Sequence, residues 1–117
     1  MNEVIEVLFN GFAVDGVQIP VVFLRYLGHG EPYVTYMQTD ADRSYGGDDD
    51  LQGFVTYYDF DVYSKTNYTP IIRKIKEIMK TAGWMFEPSR CSPDFYESDT
   101  GYYHKTLCFA CHKQEVE

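Results

Sequence analysis

Residues Phe54 to Trp84, FVTYYDFDVYSKTNYTPIIRKIKEIMKTAGW, constrain the fold of this chain more than any other stretch. Phe54–Tyr63 alternates with a period of two, the signature of a strand. Thr56, Tyr58, Phe60 and Val62 point one way, and Val55, Tyr57, Asp59, Asp61 and Tyr63 point the other. The first set suits a helix-covered core. The second suits solvent, or a partner that tolerates carboxylates. After the polar turn Ser64–Tyr68, the period changes to that of a helix. Thr69 is the expected N-cap, because its hydroxyl can accept a free first-turn N–H, and Pro70 sits where a missing N–H costs nothing. Ile71, Ile72, Ile75, Ile78, Met79 and Ala82 share one face, and Gly83 supplies the stop.

The flanking segments read as short elements joined by turns. Residues 3–9 predict one or two helical turns with Val4, Ile5 and Leu8 on one side, broken by Gly11 and Gly16. Ile19–Tyr26 is apolar and β-branched and predicts a strand. Gly28, Gly30 and Pro32 make a turn, and Tyr33–Thr39 predicts a second strand antiparallel to the first. Asp40–Gln52 (DADRSYGGDDDLQ) is acidic and glycine-rich and predicts a loop, near the upper length for an unstructured connection in a small domain. Trp84–Glu87 predicts a strand, Arg90–Thr100 a loop or ragged hairpin, and Tyr102–His112 a last strand before a frayed KQEVE tail. The expected fold class is α+β. It has an antiparallel sheet of four to five strands, one main amphipathic helix (about 69–82) on one face, and a short N-terminal helix, all in a single domain over residues 1–117.

Composition narrows the partners. The 11 Tyr and 8 Phe favour pleated, half-buried surfaces and interfaces. A net charge of −8 opposes binding to nucleic-acid phosphate, although an acidic wall can enclose a duplex and let it slide. The densest basic group, Arg73, Lys74, Lys76 and Lys80, reads as the solvated face of the helix. No apolar run reaches the ~18 residues of a membrane span. The N-terminal segment carries Glu3 and Glu6 where a signal peptide is basic. Three cysteines with no sign of export predict reduced thiols in a cytosol.

Each candidate chemical motif has a plainer reading. Cys108-Phe-Ala-Cys111-His112 matches a haem c attachment pattern, but in a strand Cys108 and Cys111 point to opposite faces, and Cys108 reads as a small buried hydrophobe. Cys91, Cys108, Cys111 and His112 are zinc-ligand types, yet Cys91 lacks a paired knuckle. Redox chemistry of the thioredoxin kind wants its C-x-x-C at a helix N-terminus. Asp40, Asp42 and Ser44 have calcium-loop spacing, but Tyr45 and Leu51 stand where Gly and Glu are needed. Asp48, Asp49 and Asp50 read as a solvated charge run. Asp59 and Asp61 lie roughly 7 Å apart on one strand face, but His29, His104 and His112 are scattered and no nucleophile or phosphate-loop motif accompanies them. The expectation is a protein without catalytic activity, metal or cofactor.

The strand YDFDVYSK followed by TNYTPIIRKIKEIMKTAGW resembles the tail terminator (tail completion, head–tail joining) proteins of long-tailed bacteriophages and prophages. IPVVFLRY and PYVTYMQ look like that family's early strand pair, and YESDTGYYHKTLCF like its closing hairpin. The resemblance spans roughly residues 17–110, and Cys108, Cys111 and His112 have no counterpart in it. It implies a virion assembly protein that forms a ring, commonly a hexamer, capping the tail tube and joining it to the head connector. The implied partners are other copies of the chain, the tail-tube protein and the head connector protein. The implied location is the head-proximal end of the tail, reached from the host bacterial cytoplasm. Interface residues expected on this view are Asp48, Asp49, Asp50, Tyr57, Asp59, Asp61 and Tyr63. The competing readings are a small metal-binding protein using the Cys/His end, and a non-enzymatic module that binds one other protein.

Overall fold

The computed structural model describes residues 2–28, 30–43 and 53–114. In chain order these form α1 (Asn2–Leu8), a small hairpin of β1 (Ala13–Val14) and β2 (Val17–Gln18), β3 (Val21–Phe23), β4 (Tyr33–Arg43), β5 (Gly53–Ser64), α2 (Thr69–Thr81), β6 (Met85–Phe86), a 3-10 turn at Pro88–Arg90, β7 (Phe95–Glu97) and β8 (Tyr102–Gln114). Six strands make the main sheet in the order β3-β4-β5-β8-β6, with β7 also on β8. The expected α+β class holds, with both helices present. No helix among the described residues is long and apolar enough to cross a membrane.

The sheet is mixed, which corrects the wholly antiparallel sheet of four to five strands. β3 runs parallel to β4, pairing Val21 with Val34 and Phe23 with Tyr36. The cause lies at both ends of β3. Ile19 turns inward and donates its N–H to Phe12 at 3.0 Å, which leaves only Val21–Phe23 to pair. At Leu24 the chain reverses with φ 65°, and Arg25 N–H closes onto Phe23 O at 2.7 Å. This is the rare form of γ-turn, and it lets the connection return to start β4 beside β3.

β4 continues four residues into the expected Asp40–Gln52 loop, after a bulge between Gln38 and Asp40. The rest of that loop, including Asp48, Asp49 and Asp50, lies outside the described residues. β8 likewise runs to Gln114, so Lys113 and Gln114 belong to the strand and not to a tail. β1 and β2 turn on Asp15 (φ 53°) and Gly16 (φ 80°), both at positive φ. That is the primed hairpin turn favoured by Asp-Gly.

The core is one cluster on the helix side of the sheet. Tyr58, Phe60 and Val62 of β5 meet Val34 and Tyr36 of β4, Leu107 and Phe109 of β8, and Ile71, Ile75 and Met79 of α2. Ile5, Phe9 and Phe12 close the end of the cluster. Phe60 is fully buried, and its ring lies 5.2 Å from Phe9 and 5.6 Å edge-on to Phe109. The Tyr58 hydroxyl donates to Asn2 Oδ1, so this buried phenol is satisfied.

The caps of α2 differ from expectation at one end and match at the other. Thr69 is the first helical residue, not the N-cap; Tyr68 holds that position without a side-chain cap. Asn67 Oδ1 accepts the Thr69 N–H at 3.1 Å instead, because an Asn side chain reaches the backbone two residues on. At the C-terminus Gly83 takes φ 95° and Trp84 N–H reaches back to Met79 O at 2.9 Å, while Gly83 N–H bonds Lys80 O. This double closure is a Schellman motif, with the usual apolar contact between the buried Trp84 and Met79.

The outer margin of β8 is completed partly by side chains. Between β6 and β7 the chain leaves strand geometry, yet Glu87 and Ser92 N–H still bond Cys108 O and Thr106 O at 2.9 and 3.0 Å. The reciprocal donors go to side chains. Cys91 Sγ accepts the Cys108 N–H at 3.3 Å, and Ser92 Oγ accepts the Thr106 N–H at 2.8 Å. At the opposite margin, no described residue pairs with β4 beyond Tyr36.

Candidate functional face of the sheet

The face of β4, β5 and β8 turned away from α2 carries the carboxylates singled out from the sequence. Pairing sets their neighbours. Tyr63 lies between Tyr33 and His104, Asp61 between Thr35 and Thr106, Asp59 between Met37 and Cys108, and Tyr57 beside Ala110. The structure therefore brings Tyr57, Asp59, Asp61 and Tyr63 onto one surface. This surface is not an open solvent face, however. Val55, Cys108 and Ala110 are buried and the four named residues are half-buried. Part of the cover comes from Arg90, whose guanidinium stacks 3.8 Å from the centroid of the Tyr57 ring.

Asp59 occupies the drier end. Burial raises its pKa above the ordinary carboxylate value, and nearby Asp61 adds to the rise. The Cys108 thiol, Arg90 and Thr39 pull the other way. The Thr39 contact follows from the bulge in β4, which leaves Thr39 out of register. Cys108 is fully buried, and burial together with the Asp59 carboxylate pushes its thiol up to about 12. It is a protonated donor at neutral pH and a poor nucleophile.

Asp61 occupies the wetter end. It accepts the Thr106 hydroxyl, and His104 Nε2 stands 3.2 Å from the same oxygen. His104 Nδ1 is 3.8 Å from Glu97 Oε2. The sequence had placed no histidine near the carboxylate pair; the register of β5 on β8 puts one there. Both ring nitrogens face carboxylates, so the His104 imidazole bridges Asp61 of β5 and Glu97 of β7.

An aromatic ridge crosses the sheet along this row. Tyr26 stacks on Tyr33 at 4.5 Å, Tyr33 on Tyr63 at 4.7 Å, and Tyr63 on His104 at 4.3 Å and 9°. Tyr102 meets Tyr33 and Tyr63 edge-on, with Lys65 Nζ 5.3 Å from its ring. Burial, the Asp61 charge and neighbouring Tyr33 and Glu97 push the Tyr63 phenol up to about 12. Tyr33 and His104 were missed because alternation assigns a residue to a face but not to a cross-strand partner, and Arg90 because it reaches this face from the 3-10 turn, where no strand pattern applies.

The cysteine group divides as strand geometry requires. Cys108 faces Asp59, whereas Cys91 and Cys111 pack against the core on the other side. The Cys91 thiol donates to Glu87 O at 3.3 Å and accepts from Cys108 N–H. No disulfide joins the three, and no cluster of three metal-ligand types occurs among the described residues. The side chain of His112 lies outside them.

What this face offers chemically is a flat, half-covered surface with aromatic rings over bonded carboxylates. Such a surface suits a protein partner, since rings contribute area at low entropy cost and their hydroxyls find partners. No family model matches this sequence, and no curated protein matches it either.

Proposed function

We propose that this chain is a structural subunit of the head-proximal end of a long phage tail. It assembles with copies of itself as a ring that caps the tail tube and joins it to the head connector. Its partners on this reading are the tail-tube protein, the connector protein and its own neighbours, and it acts without catalysis. The sequence resemblance supplies the family. The observation that carries the reading is the disproportion between the sheet and its core. β4, β5 and β8 have 11, 12 and 13 residues, about twice the usual strand length. The single 13-residue helix α2 covers one face of this sheet, and the described chain extends 51 × 27 × 23 Å. A monomer gains little from strands that outrun its core, whereas a ring subunit uses them to meet its neighbours. The aromatic ridge and the acidic net charge of −8 fit a ring whose channel passes DNA without holding it.

Deletion of the gene from the phage or prophage that carries it tests the reading. Electron microscopy should show filled heads apart from unjoined tails, with tubes running past their normal length. Head-joined tails of normal length in the deletion would sink it.

A further inference from the structure

The surface on the helix side of the sheet holds a second feature that the tail reading does not use. Where α2 ends and β6 begins, a groove of about 450 Å³ is lined by Lys76, Lys80, Trp84, Met85, Phe86 and Phe109. Its floor is apolar, with Trp84 and Phe109 buried beneath Phe86, and Met85 is 54% exposed at its lip. Its rim is cationic. Lys76 Nζ sits 4.3 Å from the Phe86 ring centroid, and neither lysine is in an ion pair among the described residues. The two lysines are four residues apart on one helix face, where like charges repel. An arriving anion relieves that repulsion, and an apolar side chain beside the anion covers the floor.

The chain itself contains a segment of that chemistry. Ser44–Gln52, SYGGDDDLQ, joins the end of β4 to the start of β5. Three consecutive carboxylates, Asp48, Asp49 and Asp50, adjoin Leu51, and Tyr45 lies upstream. We infer that the groove between α2 and β6 receives the Ser44–Gln52 segment of a second copy of this chain, with Asp48–Asp50 on Lys76 and Lys80 and Leu51 over the Phe86–Trp84 floor. The contact is head-to-tail: each copy offers one segment and one groove, which is the kind of contact that closes rings. The inference rests on the self-assembly part of the tail reading and names the contact through which it occurs.

The groove carries its own reporter, since Trp84 is the only tryptophan. A synthetic Ser44–Gln52 peptide is titrated into the full chain bearing Asp48→Lys, Asp49→Lys and Asp50→Lys, whose own segment no longer competes. Trp84 emission should change saturably. Adding Lys76→Gln and Lys80→Gln should weaken binding about tenfold, as for the loss of two exposed ion pairs. No saturable change, or equal affinity in both backgrounds, overturns the assignment. The second measurement is sedimentation velocity on two chains each reversed on one side only, one bearing Asp48→Lys, Asp49→Lys and Asp50→Lys, the other bearing Lys76→Glu and Lys80→Glu. Alone, each places like charges at the contact and stays small; mixed, groove and segment complement each other and larger species return. A mixture no larger than its components overturns the second copy as occupant, even where the peptide binds. Both lysines are outside the core, and a urea midpoint close to that of the unmodified chain confirms folding. Peptide binding together with normal tails in the gene deletion would sink the tail reading and leave the groove standing. Failed binding together with unjoined tails would do the reverse.

Discussion

The two faces of β5 are built from one run of residues and obey different rules. On the core face Tyr58, Phe60 and Val62 are almost wholly buried against a helix and two strands. Apart from the Tyr58 hydroxyl, which donates to Asn2 Oδ1, their partners are apolar and interchangeable in kind, so shape and volume decide their worth. On the outer face Asp59, Asp61 and Tyr63 each depend on particular groups across the sheet: Asp59 on the Cys108 thiol, Asp61 on the Thr106 hydroxyl and the His104 ring, Tyr63 on the Tyr33 and His104 rings. Packing on the first face tolerates ignorance of register, because any apolar neighbour serves. Pairing on the second face does not, because a slip of one residue changes every partner.

The largest effect expected from this contrast is on the core face. Phe60→Ala should cost about 4 kcal/mol, read from the urea midpoint at unchanged slope. A loss under about 1 kcal/mol would mean that the ring contacts with Phe9 and Phe109 contribute little and that the faces are energetically alike. On the outer face Tyr63→Ala removes two stacked contacts from a half-buried ring. Its expected cost is about 2 kcal/mol, and a cost equal to that of Phe60→Ala would erase the distinction. Ser92→Ala strips the acceptor from the Thr106 N–H at the sheet margin. A loss of about 1 kcal/mol is expected, with faster amide exchange at Thr106 as the local signature.

The smallest effect has the opposite sign. Asp59 titrates at a higher pH in the folded chain than in the unfolded one. The folded state therefore binds its proton more tightly, and the favourable contribution of this group is present below the unfolded carboxylate range. It is lost as pH rises through the folded value. At pH 7 the charged carboxylate weighs against folding, and Asp59→Asn should raise the thermal midpoint. The gap between variant and parent should close as pH falls toward the ordinary aspartate range. A gap independent of pH would show that Asp59 is solvated and that this face is wetter than its burial implies.

The same contrast explains what could be read from the residues alone. Alternation was enough to place Asp59 and Asp61 opposite Phe60, and helical spacing found Ile71, Ile75 and Met79. The hairpin at Asp15-Gly16 carried a local signal, a positive-φ pair between short apolar runs, that Gly16 alone does not reveal. The parallel pairing of β3 had no such signal. It depends on Ile19 being drawn into the core and on Leu24 adopting a conformation that its side chain disfavours, both consequences of tertiary packing. His104 was invisible as a partner of Asp61 for a related reason: Tyr102–His112 was legible as a strand, but its register against β5 was not.

The side-chain completion of the β8 margin bears on how copies of this chain can meet. Cys91 and Ser92 fill the places a neighbouring strand's carbonyls would take, so an incoming strand finds the middle of that margin occupied. β6 and β7 beside it offer two and three residues, too few to template a long partner. Among the described residues, the longest margin without a neighbouring strand is that of β4 past Tyr36, with a shorter one on β8 past Ala110. A margin blocked in its middle leaves a long incoming strand room only along β4. Repeated edge-to-edge pairing of full-length strands is thereby hindered, although three of the strands are long enough to support it.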